Sequence, residues 1–496
     1  MEKKLFQLIL PLLLIGFSVF PKQADAQNRF DALRFSTQLP AGDAATLFSG
    51  GATAATYTGF GASILNPATL GLAQHSEFHL GIGMRDVSES AVYLNRRSNY
   101  DDAQTSFTNA GFVYAVPTVQ GSLVVGFGYS QLADFNRAYR LSAFNPRSSI
   151  TDMFFDNSFY FNTAFNAFAI EEDDFGQFPI FRDDFSAPFR GINQAATVRE
   201  SGQLGEFSAA IATEFVQNLF VGASLGIPVG SYTYRRNFLE RDNEGLYGAI
   251  DTIIDGEPFT IPAPAGVILQ ERINADIIGF SARFGMIYRA IPNLQFGLSY
   301  SLPTTLNIDE SYSVFIQTEY ENGSAENAQL RGETSYKVKL PARLTAGFAT
   351  TGLPVNISFA AERVSNSRIQ FRDFDDLGFE VQENELMSED FRDVFNLRFG
   401  ASLNLTEAVV PTIGYAYLPA VSRQSGNARQ LLSAGISIGV NQGLRLDAGL
   451  QYMFFNDDQI VYEFYDYQAD DGRFAAETIR TSVDRFHAVI GISYRF

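Results

Sequence analysis

Three histidines, His75, His79 and His487, are the only imidazoles in this 496-residue sequence, and there is no cysteine. A hydrolase needs a nucleophile held against a base. His487 with a serine on the same inner surface is the one pairing the chain offers, and no serine-containing motif sits at a suitable turn. There is no phosphate-cradling glycine loop and no metal-ligand spacing. The expectation is a protein that is not an enzyme and uses no cofactor or metal. Cations are better placed. Arg343, Arg398, Arg445 and Arg485, with Asp447 and His487, all fall on the polar side of alternating segments. Enclosed together, such guanidinium groups can receive a carboxylate head group through charge-assisted hydrogen bonds. The plainer expectation is ion pairing among themselves, with Asp447 and other acids.

The stretch 143–200 carries a second kind of chemistry. Phe154, Phe155, Phe159, Phe161, Phe165 and Phe168 crowd into fifteen residues, and Phe175, Phe178, Phe181, Phe185 and Phe189 follow. Exposed aromatic density of this kind marks binding. It predicts a greasy vestibule that captures an apolar ligand. A long ordered loop also needs a core of its own, so a lid whose rings bury one another is the competing reading. The run Glu171-Glu172-Asp173-Asp174 could hold Ca²⁺ between lipopolysaccharide heads, since clustered carboxylates suit hard cations; a solvated face is the plainer account.

What positions these residues is a strand pattern. In the last twelve residues, Phe486, Ala488, Ile490, Ile492, Tyr494 and Phe496 share one face, and Arg485, His487, Val489, Gly491, Ser493 and Arg495 share the other. A period of two is the strand signature. The composition, 47 Phe, 22 Tyr and 41 Gly without a Trp, fits an aromatic girdle of Phe and Tyr. After the first 26 residues no apolar run nears the ~18 residues of a spanning helix. A closed barrel is the other way to satisfy every backbone group in hydrocarbon. Short turns near 117–120, 216–218, 291–293, 351–354, 405–408 and 441–443 alternate with longer connections near 98–105, 143–200, 241–270, 319–332, 373–390, 419–428 and 466–478. That arrangement predicts an all-β, transmembrane, antiparallel up-and-down barrel of about fourteen strands with no helix between them. A soluble sandwich would alternate too, but nearly 400 residues of unbroken meander show no linker. Gly126 and Gly128 are expected to weaken the third strand and kink the wall. A formal charge of −19 repels phosphates and argues against nucleic acid. Lys3 and Lys4, the run Leu5–Phe20 and Ala24-Asp25-Ala26 read as a cleaved export signal over 1–26.

Residues 27–75 do not alternate and are rich in Ala, Gly, Ser and Thr, ending in Asn66-Pro67-Ala68 just before the first strand of a barrel over 76–496. An N-terminal plug with an Asn-Pro-Ala motif, fourteen strands and a terminal Phe resembles the long-chain fatty acid transporter family of FadL/TodX type. The terminal aromatic itself resembles the signature read by the barrel-assembly machinery, which makes Phe496 the contact. The resemblance implies a bacterial outer-membrane channel for passive uptake of long-chain fatty acids or aromatic hydrocarbons. Ligand enters from outside, a hatch containing Asn66, Pro67 and Ala68 shifts, and ligand leaves sideways into lipid. Here the longest loop follows the third strand, whereas the family's long hydrophobic loops come later, so the outer ligand site does not carry over directly. Two other functions fit such a barrel: docking in a protein-secretion apparatus, and a general porin, which the plug disfavours.

Overall fold

The computed structural model describes residues 29–182, 189–424, 426–466 and 473–496. The predicted export signal lies outside them, as do residues 467–472 of the last outer connection. Fourteen strands form one antiparallel barrel: β1 (Glu77–Tyr93), β2 (Arg96–Val116), β3 (Leu123–Asp134, continued by Arg137–Asn145), β4 (Ile192–Val216), β5 (Leu219–Arg241), β6 (Pro264–Ile291), β7 (Leu294–Ser301, continued by Thr305–Tyr320), β8 (Ala325–Lys339, continued by Arg343–Thr350), β9 (Val355–Val364), β10 (Val394–Leu403), β11 (Val409–Leu418), β12 (Arg429–Gly439), β13 (Leu444–Asp466) and β14 (Arg473–Arg495). Each pairs with the next, and β1 zips onto β14 from Glu77↔Arg495 to Val92↔Arg480. Closure removes the free edges that an open sheet would present.

The outer surface follows the alternation. On β14, Phe486, Ile490, Ile492 and Tyr494 are exposed, as is Phe496 just after it, while His487, Val489 and Ser493 are buried. Phe280, Phe284 and Tyr288 on β6, and Leu446 and Leu450 on β13, continue this apolar belt. Chains of this kind sit with the belt in hydrocarbon.

Two expected loops are strand. The segments 98–105 and 319–332 lie largely in β2, β7 and β8, and the connections shrink to Leu94-Asn95, both at positive φ, and to residues 321–324. Above the lipid belt both sheet faces are wet, so the hydropathy alternation fades although the ladder persists. Helices also occur between strands, contrary to expectation. The β3–β4 connection holds α3 (Ile150–Asp156) and α4 (Ser158–Asn166), and the β9–β10 connection holds α5 (Leu377–Asp390). A full capping box, Ser149 with Asp152, starts α3, and the Asn157 side chain caps α4; both satisfy orphan N–H groups. (The helices are numbered here after two N-terminal ones, α1, Arg29–Ser36, and α2, Ala44–Phe48.)

Of the N-terminal helices, α2, together with two 3-10 turns, Phe60–Ile64 and Pro67–Leu72, fills the inner half of the barrel, while α1 runs above them to α5 of an outer connection. Phe48, Phe60, Asn66, Ala68 and Leu70 are all essentially inaccessible to solvent. Inward glycines of the wall make the space. A Cβ on Gly285 would stand 1.9 Å from the Asn66 Oδ1, and one on Gly435 would stand 2.2 Å from the Phe48 ring.

Candidate functional site in the barrel lumen

Asn66 is the fastener of the hatch. Its side-chain Oδ1 accepts from the Ala68 N–H at 3.0 Å and so caps the Pro67–Leu72 turn. Its amide donates to the Ala54 carbonyl at 2.6 Å and to the Met286 carbonyl of β6 at 3.3 Å. Proline at the first position of that turn has no N–H to waste and a φ already suited to it. Ala68 packs on Phe220 and Ile287 of the wall, where only a small side chain fits. The motif therefore ties the hatch to itself and to β6.

Gly126 and Gly128 do not kink the wall. Both sit in regular ladder with β2 and β4, and a Cβ on either would meet the Phe60 ring at 3.0 and 2.8 Å. They clear space for the hatch. The distortion comes later in β3, as a bulge between Gln131 and Ala133 and a break at Phe135-Asn136. Residues 130–135 are all buried, so both faces of the strand are covered there and it has turned inward. The β2–β3 ladder covers only Asn109↔Ser130 to Val116↔Leu123. Beyond it, among the described residues, β2 pairs with β1 alone and β3 with β4 alone. Side chains bridge this seam instead: Arg85 reaches Asp134 and donates to Gln131 at 3.1 Å, and Ser106 donates to Gln131 at 3.4 Å. Arg137 crosses the lumen to Glu89 at 2.6 Å, Asp457 at 2.7 Å and Thr481 at 3.1 Å.

Beside the inward bend lies a lumen cavity of about 600 Å³ between hatch and outer lid. Aromatic residues Tyr139, Phe159, Tyr160, Tyr232, Tyr234 and Phe455 share its wall with Arg137, Arg236, Arg429 and Arg485. The predicted lumen arginines separate here. Arg485 lines the cavity and donates to the Asn136 carbonyl at 2.9 Å. Arg343 also reaches it, held to Glu362 at 3.5 Å and donating to the Ser36 carbonyl of the hatch at 2.7 Å. Arg398 pairs with the same Glu362 at 3.0 Å. Arg445 lies lower, bonded to Asp447 at 3.1 Å and to the Thr58 carbonyl at 3.0 Å. Three of the four are thus ion-paired to wall carboxylates, and Arg343 and Arg445 also bond carbonyls of the hatch. His487 is buried against Gly83, away from the cavity lining. Arg137, Arg429 and Phe455 went unnoticed in the sequence. The alternation does put Arg429 and Phe455 on inward faces, but it cannot say which inward residues meet.

The aromatic loop is packed rather than open. Phe154 and Phe181 are fully buried, and Phe155, Phe159, Phe161 and Phe165 pack half-buried against the same cluster with Ile192, Phe238 and Tyr462. Phe168, 45% exposed at a positive φ, and Phe175, 80% exposed, are exceptions. Asp152 and Arg182, both buried, pin the lid by paired bonds, one of 3.0 Å. Burial pushes the Asp152 carboxyl up, and the Arg182 guanidinium pulls it back. Met153, Phe159 and Tyr160 show their inner edges to the cavity. Of the acidic run, Glu171 is buried against the Tyr320 hydroxyl at 3.2 Å. Asp173 and Asp174 brace turns, Asp174 accepting from the Asp255 and Gly256 N–H groups at 3.0 and 2.9 Å.

A closed lipid-belted barrel, corked by its own N-terminal segment and lidded outside, is an outer-membrane channel of the plugged class. The chain belongs to the outer membrane protein transport protein family (OMPP1/FadL/TodX), whose model matches residues 184–496. These are transporters of the bacterial outer membrane. Similar solved structures include a Pseudomonas aeruginosa FadL homologue (TM-score 0.57, 12% identity, covering 93% of this chain and 100% of that one). Another is the Pseudomonas putida toluene transporter TodX (TM-score 0.51, 13% identity, covering 93% and 100%). At such identities the likeness is one of fold. No curated protein matches the chain.

Proposed function

We propose that this protein is a passive channel for hydrophobic small molecules, long-chain fatty acids or aromatic hydrocarbons, that takes ligand from the outside and releases it sideways into the membrane. The observation that carries the reading is the position of the cavity beside a wall seam closed by side chains instead of a backbone ladder. Ligand enters through the lid formed by Phe154, Phe155, Phe159, Phe161, Phe165 and Phe168, with the exposed Phe168 as first contact. It then occupies the aromatic cavity, where burial of apolar surface is worth about 25 cal/mol per Å². Movement of the hatch at Asn66-Pro67-Ala68 frees the inward bend of β3, and the β2–β3 seam opens above Ser130. Phe107, Tyr129 and Phe207 stack outside the lower end of that seam, at ring distances of 5.5 and 5.1 Å, and offer an apolar landing into lipid. The fold shared with a toluene transporter supports an apolar ligand.

The chain has no cysteine, so one designed disulfide is a clean test. Extending the register past Asn109↔Ser130 puts Thr108 opposite Gln131. The T108C/Q131C pair, oxidised, is expected to reduce uptake of a labelled fatty acid at least tenfold, and reductant is expected to restore it. Full uptake through the oxidised barrel defeats the lateral route.

A further inference from the structure

The outside of the wall carries a charge pattern that the lumen lacks. Arg140, Arg199, Arg235 and Arg272 stand on four successive strands, β3 to β6, and all four are exposed. Their strand neighbours Tyr139, Glu200, Arg236 and Glu271 line the lumen cavity, so by alternation the arginines face outward. The register sets Arg199 directly opposite Arg235, and Arg235 directly opposite Arg272. Arg140, opposite Thr197, stands one pair further out. Along this face the row is flanked by Thr197, Asn237 and Gln270 on one side and by Ser201, Thr233 and Asn274 on the other, all uncharged. Inside, the same strands have their charges matched: Arg34 bonds Glu200 at 3.0 Å and Arg236 bonds Glu271. Outside, among the described residues, no carboxylate makes an ion pair with any of the four, Asp101 across the seam and Asp276 further down β6 included. Arg140 and Arg199 lie 4.9 and 5.1 Å from the Tyr100 ring at the β2–β3 seam, and Arg272 donates to Asn274 at 3.1 Å.

The height of the row says what it meets. The outermost exposed large apolar residues of β4, β5 and β6 are Phe207, Ile227 and Ile278. The arginines lie six to eight residues beyond them, toward the long connections. At ~3.3 Å per residue and a strand tilt of ~40°, that is roughly 15–20 Å above the edge of the hydrocarbon. We infer that this row is a docking surface for lipopolysaccharide, and that it grips the phosphate groups of the core sugars above the acyl chains. Like charges set directly opposite one another on a sheet repel, and three in line without an acid beside them await an anion. Guanidinium groups bind phosphate in paired, charge-assisted bonds. Strands ~4.8 Å apart let two neighbouring arginines share one phosphate. A formal charge of −19 gives the chain no general attraction for such a polyanion, so the binding is local to this patch. The inference rests on the outer-membrane setting and is independent of the transport reading.

Three probes test it by native mass spectrometry of the detergent-solubilised full barrel: lipopolysaccharide with a phosphorylated core, the same material dephosphorylated, and lipid A alone. The phosphorylated core form is expected to bind at least tenfold more tightly than either of the others. Replacing Arg199, Arg235 and Arg272 together with Gln should abolish that preference. Arg480→Gln, which removes an exposed arginine already paired with Asp458 at 2.9 Å, should leave it intact. If the triple variant does not fold, Arg235→Gln alone should weaken binding about threefold and Arg235→Lys should restore most of it. Equal binding of the phosphorylated and dephosphorylated forms overturns the inference, as does a triple or Arg235→Gln barrel that binds like the original. Lipid A alone binding as tightly as the full molecule overturns the assignment to core phosphates.

Discussion

The lumen is shut twice, and the two closures are built from opposite materials. At the outer end, large side chains do the work: Phe154, Tyr160, Phe181, Phe238, Tyr462 and Phe464 form one cluster between lid and wall. At the inner end the hatch is made of small residues, and its backbone lies against inward glycines such as Gly222, Gly297 and Gly414. Rings can open a path by changing rotamer, a local event. A backbone pressed on a wall can only move as a segment, and its hydrogen bonds must break together. The outer closure should therefore breathe often and the inner one rarely, which suits a route that turns sideways before the hatch is passed.

Breaking the outer closure should have the largest effect. Arg182→Ala leaves Asp152 buried and unpaired, an arrangement that costs about 3–5 kcal/mol. Protease nicking within 146–191 and hydrogen exchange in α3 and α4 are expected to rise sharply while the barrel stays folded. Asn66→Ala attacks the inner closure. It removes the bonds to Ala54, Met286 and Ala68, and leaving such buried partners unsatisfied costs about 1–3 kcal/mol. Exchange should increase over residues 60–72 and not in the lid, and uptake of labelled fatty acid should change with it. If both substitutions loosen both regions equally, the two closures are one cooperative unit and the contrast fails.

A smaller, pH-dependent effect sharpens the comparison. Burial pushes the Glu171 carboxyl from 4.5 to about 7, and the Tyr320 hydroxyl donates to it at 3.2 Å. A raised acid binds its proton more tightly in the packed lid than in the opened one. Its contribution to packing is therefore full below pH about 4.5 and falls as pH rises to about 7. Lid exchange should quicken across that window, hatch exchange should not, and Glu171→Gln should flatten the lid profile.

Much of the barrel is written in the alternation. The lipid face of β14 and all six short inner turns are legible, because hydrocarbon permits one kind of side chain and a tight turn permits few residues. Legibility ends where water returns. Residues 98–105 are polar on both faces, so nothing in their composition separates a wet strand from a loop. Phe154 and Phe168 look alike in sequence and end up fully buried and half-exposed, since burial depends on what packs above them. Asn66-Pro67-Ala68 was readable through local turn chemistry, whereas the Arg429–Phe455–Arg485 corner joins three strands and requires the register. Gly126 and Gly128 show the same limit. A glycine in a strand reports that space is needed there, without saying whether for a bend or for a neighbour.

The direction in which the N-terminal segment runs has a consequence for biogenesis. The Arg29 backbone N–H bonds Glu383 of α5 at 2.7 Å, in an outer connection, while the Phe496 N–H bonds the Ser76 carbonyl at the opposite rim. The cork is thus laid along the whole bore before the first strand begins, and that strand's second partner is the last one made. Threading it afterwards would mean displacing the salt-bridged arginines that already cross the bore. The curling sheet must instead wrap around its own leader as the final seam zips, so channel and stopper mature in a single step and no open pore is exposed along the way.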